Sequence, residues 1–314
     1  MSRASANGLP RVTVSRAGSQ RLKDGLPWVY RGDIRAAPDQ PFADAIPFVR
    51  VQDERGNMVG VALWAERGAI GLRRWGLSAA PTTQEEIVRR VHVALELRNV
   101  VLPGVTAARL IHGEADDLPG IFVDRYRDAL VIQTASSSAE TLRPTVMATL
   151  QEALKPTLIV RRDDGSSRDM ESLPRIADTL LGGPETRAQY LEGKVIFEAD
   201  LLKGHKTGSY LDQRDNHVLA GDLARGRCLD LFSNEGGFGL HMASRAEHTI
   251  CVEQDPVSVE RLVRNAELNG FKDRVDARAE NAFDVVRALD EAGTRFDGVV
   301  VDPPALAKRA GPLE

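Results

Sequence analysis

Four short apolar runs punctuate the last third of the chain: Cys228–Phe232, Thr249–Gln254, Val275–Arg278 and Phe296–Val301. Each is bounded by turn residues or by a helical pattern, as expected of strands buried on both faces of a parallel sheet. The first run is followed by Ser233-Asn234-Glu235-Gly236-Gly237, a turn cluster, and then by a segment from Phe238 to Arg245 that reads as the start of a helix. A strand, a glycine loop and a helix in this order let the backbone approach a ligand and turn unpaired N–H groups towards it. The second run ends on Glu253, 23 residues after Asp230. A doubly wound fold places at that spacing an acid that holds ribose hydroxyls. The third run precedes Glu280-Asn281, and the fourth ends on Asp302-Pro303-Pro304. All of these groups fall at the carboxyl ends of the expected strands, where open α/β sheets bind ligands.

The first part of the chain has a different rhythm. Val12 and Val14 alternate with polar residues, and Ile46–Asp53, Val59–Trp64 and Ala69–Trp75 are strand-like, with Asp53 to Asn57 as a hairpin turn. Ser19–Lys23 predicts a short helix ended by Gly25 and Pro27, and Trp28 is expected in the core. From Glu85 to Asn99 the apolar spacing is helical. Strands at Arg109–Ile111, Gly120–Tyr126, Ala129–Thr134 and Leu158–Arg161, with a helix over Ala139–Leu154, predict a central α+β module. Its acid-rich string from Glu114 to Asp117 reads as a solvated turn. The pattern divides the chain into residues 1–78, 79–192 and 193–314.

Charge sharpens the division. The whole chain carries a formal −4, but residues 1–76 hold 12 Lys/Arg against 7 Asp/Glu, and the remainder 29 against 38. The basic excess lies in the first 35 residues, from Arg3 through Arg11, Arg16, Arg21, Lys23, Arg31 and Arg35. A local basic face of this kind suits a phosphate backbone, and equally suits a solvated surface. No apolar run reaches the length of a membrane span, and the N-terminus has no signal-peptide core. Cys228 and Cys251 both sit in expected buried strands, which points to a reducing cytoplasm. The six histidines have no metal-ligand spacing, so no metal is expected.

A nicotinamide site is the rival reading of the glycine loop. It requires GxGxxG, and Met242 stands where the third glycine belongs. Glu253, Asn281 and Asp-Pro-Pro together instead resemble the class I S-adenosylmethionine-dependent methyltransferases. Leu26-Pro27-Trp28-Val29-Tyr30 with Gly32, and Lys206-Thr207-Gly208 with Tyr210 and Leu211-Asp212-Gln213-Arg214, narrow the resemblance. They are similar to the RlmI-type large-subunit ribosomal RNA methyltransferases, which act on cytosine carbon 5. The resemblance implies an N-terminal PUA domain, a central α+β domain and a Rossmann-like methyltransferase domain of α/β class. It implies that S-adenosylmethionine is held by Asp230, Ser233, Gly236, Glu253, Asn281 and Asp302, with Thr207, Tyr210 and Arg214 near its methionine part. It also implies that Asp302 orients the base, and that Arg16, Arg21, Lys23 and Arg31 meet ribosomal RNA.

There are departures. Asn234-Glu235 replaces a usual Tyr-Thr pair, and Leu306 stands where an aromatic often follows Asp-Pro-Pro. Methylation of cytosine at carbon 5 uses an exposed cysteine nucleophile, which the resembling family carries on a later strand. The chain stops ten residues after Pro304, with four strand units where the class has seven. The expectation is therefore a truncated product that does not methylate cytosine by itself. The alternatives are a catalytically incompetent RNA- and cofactor-binding protein and a nucleotide-binding oxidoreductase. Ribosomal RNA is the expected partner, a homodimer is left open, and neither a membrane nor a metal is expected.

Overall fold

A computed structural model describes residues 8–77, 79–204 and 206–304. The chain forms two compact units, Met1–Thr186 and Arg187–Glu314. Arg3 of the basic cluster and Leu306 lie outside the described residues.

The first unit opens with β1 (Arg11–Val14), α1 (Arg16–Lys23), β2 (Trp28–Tyr30), β3 (Ile34–Ala36), β4 (Phe48–Asp53), β5 (Met58–Trp64) and β6 (Ile70–Gly76). They form one six-stranded sheet in the order β2-β6-β5-β4-β1-β3. The period-two alternation of Val12 and Val14 buries both against Val29, Val49, Val51 and Leu72. Helix α1 starts at Arg16 rather than Ser19, because the Ser15 hydroxyl accepts the Gly18 N–H at 3.0 Å and caps it.

The unit continues with α2 (Gln84–Val101), β7 (Ala107–His112), β8 (Ile121–Tyr126), β9 (Ala129–Thr134), α3 (Ser137–Leu154), β10 (Leu158–Asp163) and β11 (Ile176–Leu181). These strands make a second sheet, ordered β11-β10-β9-β8-β7. One apolar core runs from Phe48 and Trp75 through Ile87 and Val91 to Ile111, Ile132 and Leu142, without interruption near residue 78.

Two expectations need correction here. The acid-rich turn is not a solvated turn. Glu114 Oε1 accepts the indole N–H of Trp28 at 2.8 Å and Arg73 Nη1 at 2.9 Å, and both Asp116 oxygens are bonded to the Arg98 guanidinium. Buried arginines need carboxylates, and the turn supplies them. Trp28 is also not a core residue. It is half-buried, and its N–H is committed to Glu114.

The second unit begins with an antiparallel hairpin of β12 (Arg187–Glu192) and β13 (Val195–Asp200), absent from the sequence reading. Then follow α4 (Arg214–Leu223), β14 (Arg227–Leu231), α5 (Gly237–Ala243), β15 (His248–Glu253), α6 (Pro256–Leu268), β16 (Val275–Ala279), α7 (Ala282–Glu291) and β17 (Gly298–Val301). Strands β14 to β17 make a parallel sheet ordered β16-β15-β14-β17. The strand order reverses beside β14, which is where a parallel sheet opens a crevice. One face of the sheet, with Leu229, Leu231, Ile250 and Val252, packs on Ala282 and Val285 of α7. On the other face Cys228 meets Met242, Ala246 and Phe238. No helix among the described residues is long and apolar enough to cross a membrane.

The turn at Glu114 gives a stability prediction. Among the described residues, Glu114→Ala leaves Arg73, buried in β6, with the more distant Glu171 at 3.6 Å as its remaining carboxylate. Loss of one partner of a buried pair should cost about 3 kcal/mol. Urea unfolding followed by tryptophan fluorescence should show a lowered midpoint, and an unchanged midpoint would mean that the pair contributes nothing.

Candidate active site

The glycine loop between β14 and α5 is held in an unusual backbone shape. Phe232, Asn234 and Gly236 have φ of 65°, 48° and 92°. Left-handed backbone at Phe232 is unfavourable for a bulky side chain and persists because its surroundings impose it. The Ser233 N–H donates to Val252 O at 3.0 Å, and the Gly236 N–H to Ser233 O at 2.8 Å. The Asn234 N–H donates to Glu253 Oε2 at 3.0 Å, while Glu253 Oε1 accepts the Asp255 N–H at 3.0 Å. Glu253 thus ties together the two loops at the ends of β14 and β15. The Asn234-Glu235 departure has its own local partner, since Glu235 Oε1 accepts Arg261 Nη1 of α6 at 2.6 Å.

Beneath the loop the helix lies very close to the sheet. A Cβ on Gly239 would come within 2.3 Å of Cys251 Sγ, and the Gly239 N–H donates to Asp230 Oδ2 at 2.8 Å. Asp230 is fully buried, and that desolvation raises its carboxyl to about 8, against the pull of the Gly239 hydrogen bond. Burial also pushes both thiols up, that of Cys251 well above its usual value and that of Cys228 less. Neither cysteine therefore has the character of a nucleophile.

A cavity of about 570 Å³ opens at the carboxyl ends of the strands. Of the residues expected from the sequence, Ser233, Glu253, Asn281, Asp302 and Tyr210 line it, with Phe283, Pro303 and Pro304. Asp230 lies buried under the loop, and Gly236 belongs to the loop as the N-cap of α5. Thr207 is buried outside the cavity wall, and Arg214 pairs with Asp215 at 2.9 Å. Asn281 caps α7 by accepting the Phe283 N–H at 2.9 Å. Among the described residues, the hydroxyl of Ser233, buried in the cavity wall, has no hydrogen-bond partner. An orphaned polar atom there calls for a ligand group, and a glycine-bordered loop beside Glu253 suits the sugar and tail of a nucleoside cofactor.

The sequence reading missed the far end of the cavity. Tyr190, Glu192 and Phe197 of the hairpin line it, with His217 of α4 and Phe238 of α5. Glu192, His217 and His241 gather with their ligand-type atoms within 4.8 Å, although no spacing in the sequence announces it. His217 Nδ1 donates to Glu192 Oε1 at 2.7 Å. The two ring nitrogens of His241 face the carbonyls of Gly237, at 2.8 Å, and Glu192, at 3.0 Å. Burial lowers the His241 imidazole from its ordinary value, so we read it as neutral, donating to one of these carbonyls at a time.

In the first unit, Arg16 and Lys23 are exposed on α1. Arg21 lies over the Tyr30 ring at 4.8 Å and donates to Trp28 O at 3.1 Å. Arg31 sits over Trp64 at 5.0 Å and donates to the Ala65 and Gly68 carbonyls, so much of its hydrogen-bonding capacity serves the fold.

The buried carboxyl under the loop predicts a pH effect. Its proton is held in the fold up to about pH 8, but in the unfolded chain only to the ordinary 3.8. Stability should therefore fall as pH rises through that window, by up to about 1.4 kcal/mol per pH unit from this group. Asp230→Asn should flatten the fall, measured by urea unfolding between pH 5 and 7.5. Parallel pH profiles for the two proteins would mean that Asp230 is ionised in the fold.

Comparison with known proteins places this geometry. Residues 12–75 match a family described as PUA-like domain, and residues 216–310 one described as conserved hypothetical protein 95. A ribosomal RNA large subunit methyltransferase I from Vibrio cholerae is 31% identical over 313 residues, covering 97% of this chain and 78% of the relative. The protein of that name from Tolumonas auensis is 33% identical over 296 residues, covering 91% and 74%. Among solved structures, a Streptococcus mutans protein designated a SAM-dependent methyltransferase aligns with a TM-score of 0.76 at 18% identity, over 94% of this chain and 77% of its own. Another, designated a methyltransferase and complexed with SAH, aligns at 0.79 and 18% identity, over 96% and 77%. These two share the fold. With that fold, a PUA-like domain at residues 12–75 and identity above 30% along nearly all its length, the chain belongs to the ribosomal RNA large subunit methyltransferase I family.

Proposed function

We propose that the chain is an S-adenosylmethionine-dependent methyltransferase of large-subunit ribosomal RNA, and that its target atom is carbon 5 of a cytosine. The observation that carries the reading is one cavity at the strand ends, walled by the strained glycine loop, Glu253, Asn281 and Asp302-Pro303-Pro304, in a chain of this family. When bound, the cofactor supplies an electrophilic methyl group. The chain's own residues hold and orient. Glu253 keeps carboxylate lone pairs for ribose hydroxyls while its loop bonds fix its direction. Ser233 has an unspent hydroxyl, and Asn281 and Phe283 offer an amide and a ring face to an adenine. Asp302 follows β17 and lines the cavity, where a carboxylate can accept from the amino group of a cytosine and orient it. Transfer to carbon 5 also requires a thiolate that adds to carbon 6, so that carbon 5 becomes nucleophilic enough to take the methyl group, and a base that removes the carbon-5 proton as the thiolate leaves. Cys228 and Cys251, buried in β14 and β15, do not supply the thiolate, so the described residues hold and orient cofactor and base without completing the cytosine chemistry, in line with the expectation from the sequence.

RNA would be held mainly through its phosphates by the basic excess of the first 35 residues. Transfer of labelled methyl to ribosomal RNA, followed by nucleoside analysis, tests the activity. Label in 5-methylcytidine supports the full reading, and label in another nucleoside removes the cytosine assignment. Binding of cofactor and RNA with no transfer would favour a chain that binds both without catalysis.

Two binding predictions accompany the reading. Glu253→Ala should weaken S-adenosylhomocysteine binding by about 1–3 kcal/mol in calorimetry, the loss expected for charge-assisted hydrogen bonds. Unchanged affinity would place the ribose elsewhere. Changing Arg16 and Lys23 to glutamate should weaken ribosomal RNA binding and lower its salt slope by about 1 per lost phosphate contact. An unaltered slope would move the RNA face off α1.

A further inference from the structure

The cavity has two chemically different ends, on opposite faces of the sheet. Asn281 and Phe283 belong to α7, which covers the face of Leu229 and Val252. Phe238 belongs to α5, on the face of Cys228, and its ring meets His217 edge-on at 4.5 Å. A nucleoside seated between Glu253 and Phe283 therefore extends its tail past the glycine loop towards Glu192 and His217. Gly237 lies at the passage: a Cβ there would come within 2.5 Å of the His217 ring.

Glu192 is a nearly fully buried carboxylate in the wall of this end. Its hairpin turn is built to present it. Gly193 has φ of 57°, and a Cβ there would lie 2.9 Å from Val218 of α4. The cross-strand pair of Tyr190 and Phe197 stacks at 5.7 Å, and Phe197 stacks in turn on His241. His217 Nδ1–H engages Oε1, and among the described residues Oε2 has no hydrogen-bond partner. A buried carboxylate with a spare oxygen facing a cavity selects a cationic hydrogen-bond donor. Lys206 lines the same cavity, but its ammonium is already paired with Asp212 at 3.0 Å and lies over the Tyr210 ring, so the Glu192 carboxylate is the group left for the ligand's charge. The α-ammonium of an amino-acid tail is a donor of that kind.

We infer that Glu192 binds the α-ammonium of the cofactor's methionyl end, with His217 as the residue that positions its carboxylate. The inference rests on the cofactor reading above and adds a subsite to it. It also gives the β12–β13 hairpin a function.

Calorimetry with two probes tests it: S-adenosylhomocysteine, which carries the amino-acid tail, and 5′-methylthioadenosine, which lacks it. Glu192→Gln should weaken S-adenosylhomocysteine at least tenfold and leave methylthioadenosine within twofold. His217→Ala should do the same to a smaller extent, and His217→Asn, which keeps a donor near the Nδ1 position, should restore most of the loss. As a check from the ligand side, the wild type should bind S-adenosylhomocysteine lacking its α-amine as weakly as Glu192→Gln binds the intact compound. Equal loss for both probes would make Glu192 a purely structural residue and overturn the subsite. So would undiminished S-adenosylhomocysteine binding in Glu192→Gln. A wild type that binds neither probe would instead overturn the cofactor reading, and the subsite with it.

Discussion

The second unit depends on how closely α5 approaches the sheet at Gly239. Even one methyl group there would collide with Cys251 Sγ, and the backbone N–H at the same residue is the donor to buried Asp230. That contact sets the depth at which the helix begins, and hence the sharp turn of the loop before it. The left-handed residues Phe232 and Asn234 are consequences of this turn. The N–H of Asn234 then points at Glu253, so the acid that closes the neighbouring strand is oriented by the same loop. Burial raises the Asp230 carboxyl to about 8 and so favours its neutral form, which spares this contact an unpaired buried charge.

The first unit solves a different problem with the same chemistry. A six-stranded and a five-stranded sheet share one apolar core, and its polar margin is closed by arginines. Arg73 and Arg90 are buried and take carboxylates from Glu114 and Glu86, and Arg168 meets Glu140 and Asp163. The buried arginines of this unit are therefore ion-paired, and exposed cations stand on α1. The cations that could meet RNA divide accordingly. Arg16 and Lys23 are free to face a ligand, while Arg31 is bound to backbone carbonyls of its own unit.

Much of the site could be read from consecutive residues. Apolar runs ending in polar groups located the four parallel strands, and the carboxyl-end rule then placed Glu253, Asn281 and Asp302 around one cavity. Ser233 was found by its place in the loop, and its orphaned hydroxyl gives that place a physical meaning. Asp230 was singled out by the same rule, yet its side chain turns inward to Gly239. The side on which a strand residue emerges depends on which helix covers each face, and alternation in a doubly buried strand carries no sign of that.

The order of residues alone sets the strand and helix periods, the glycine loop, the sheet-end position of Glu253 and the basic start of the chain. These are local properties, written in residues a few positions apart. The partners of Glu114, Glu192, His217 and His241 are set by the folded chain. Glu114 reads as a solvated acid until Arg73, 41 residues away, and Trp28, 86 away, are packed against it. His217 lies 25 residues from Glu192, and His241 lies 49 from it, each on a different element. Their meeting follows from a hairpin folding onto two helices through stacked aromatic rings. No propensity or spacing encodes such a meeting, because it arises from the summed packing of surfaces that only the folded chain brings together.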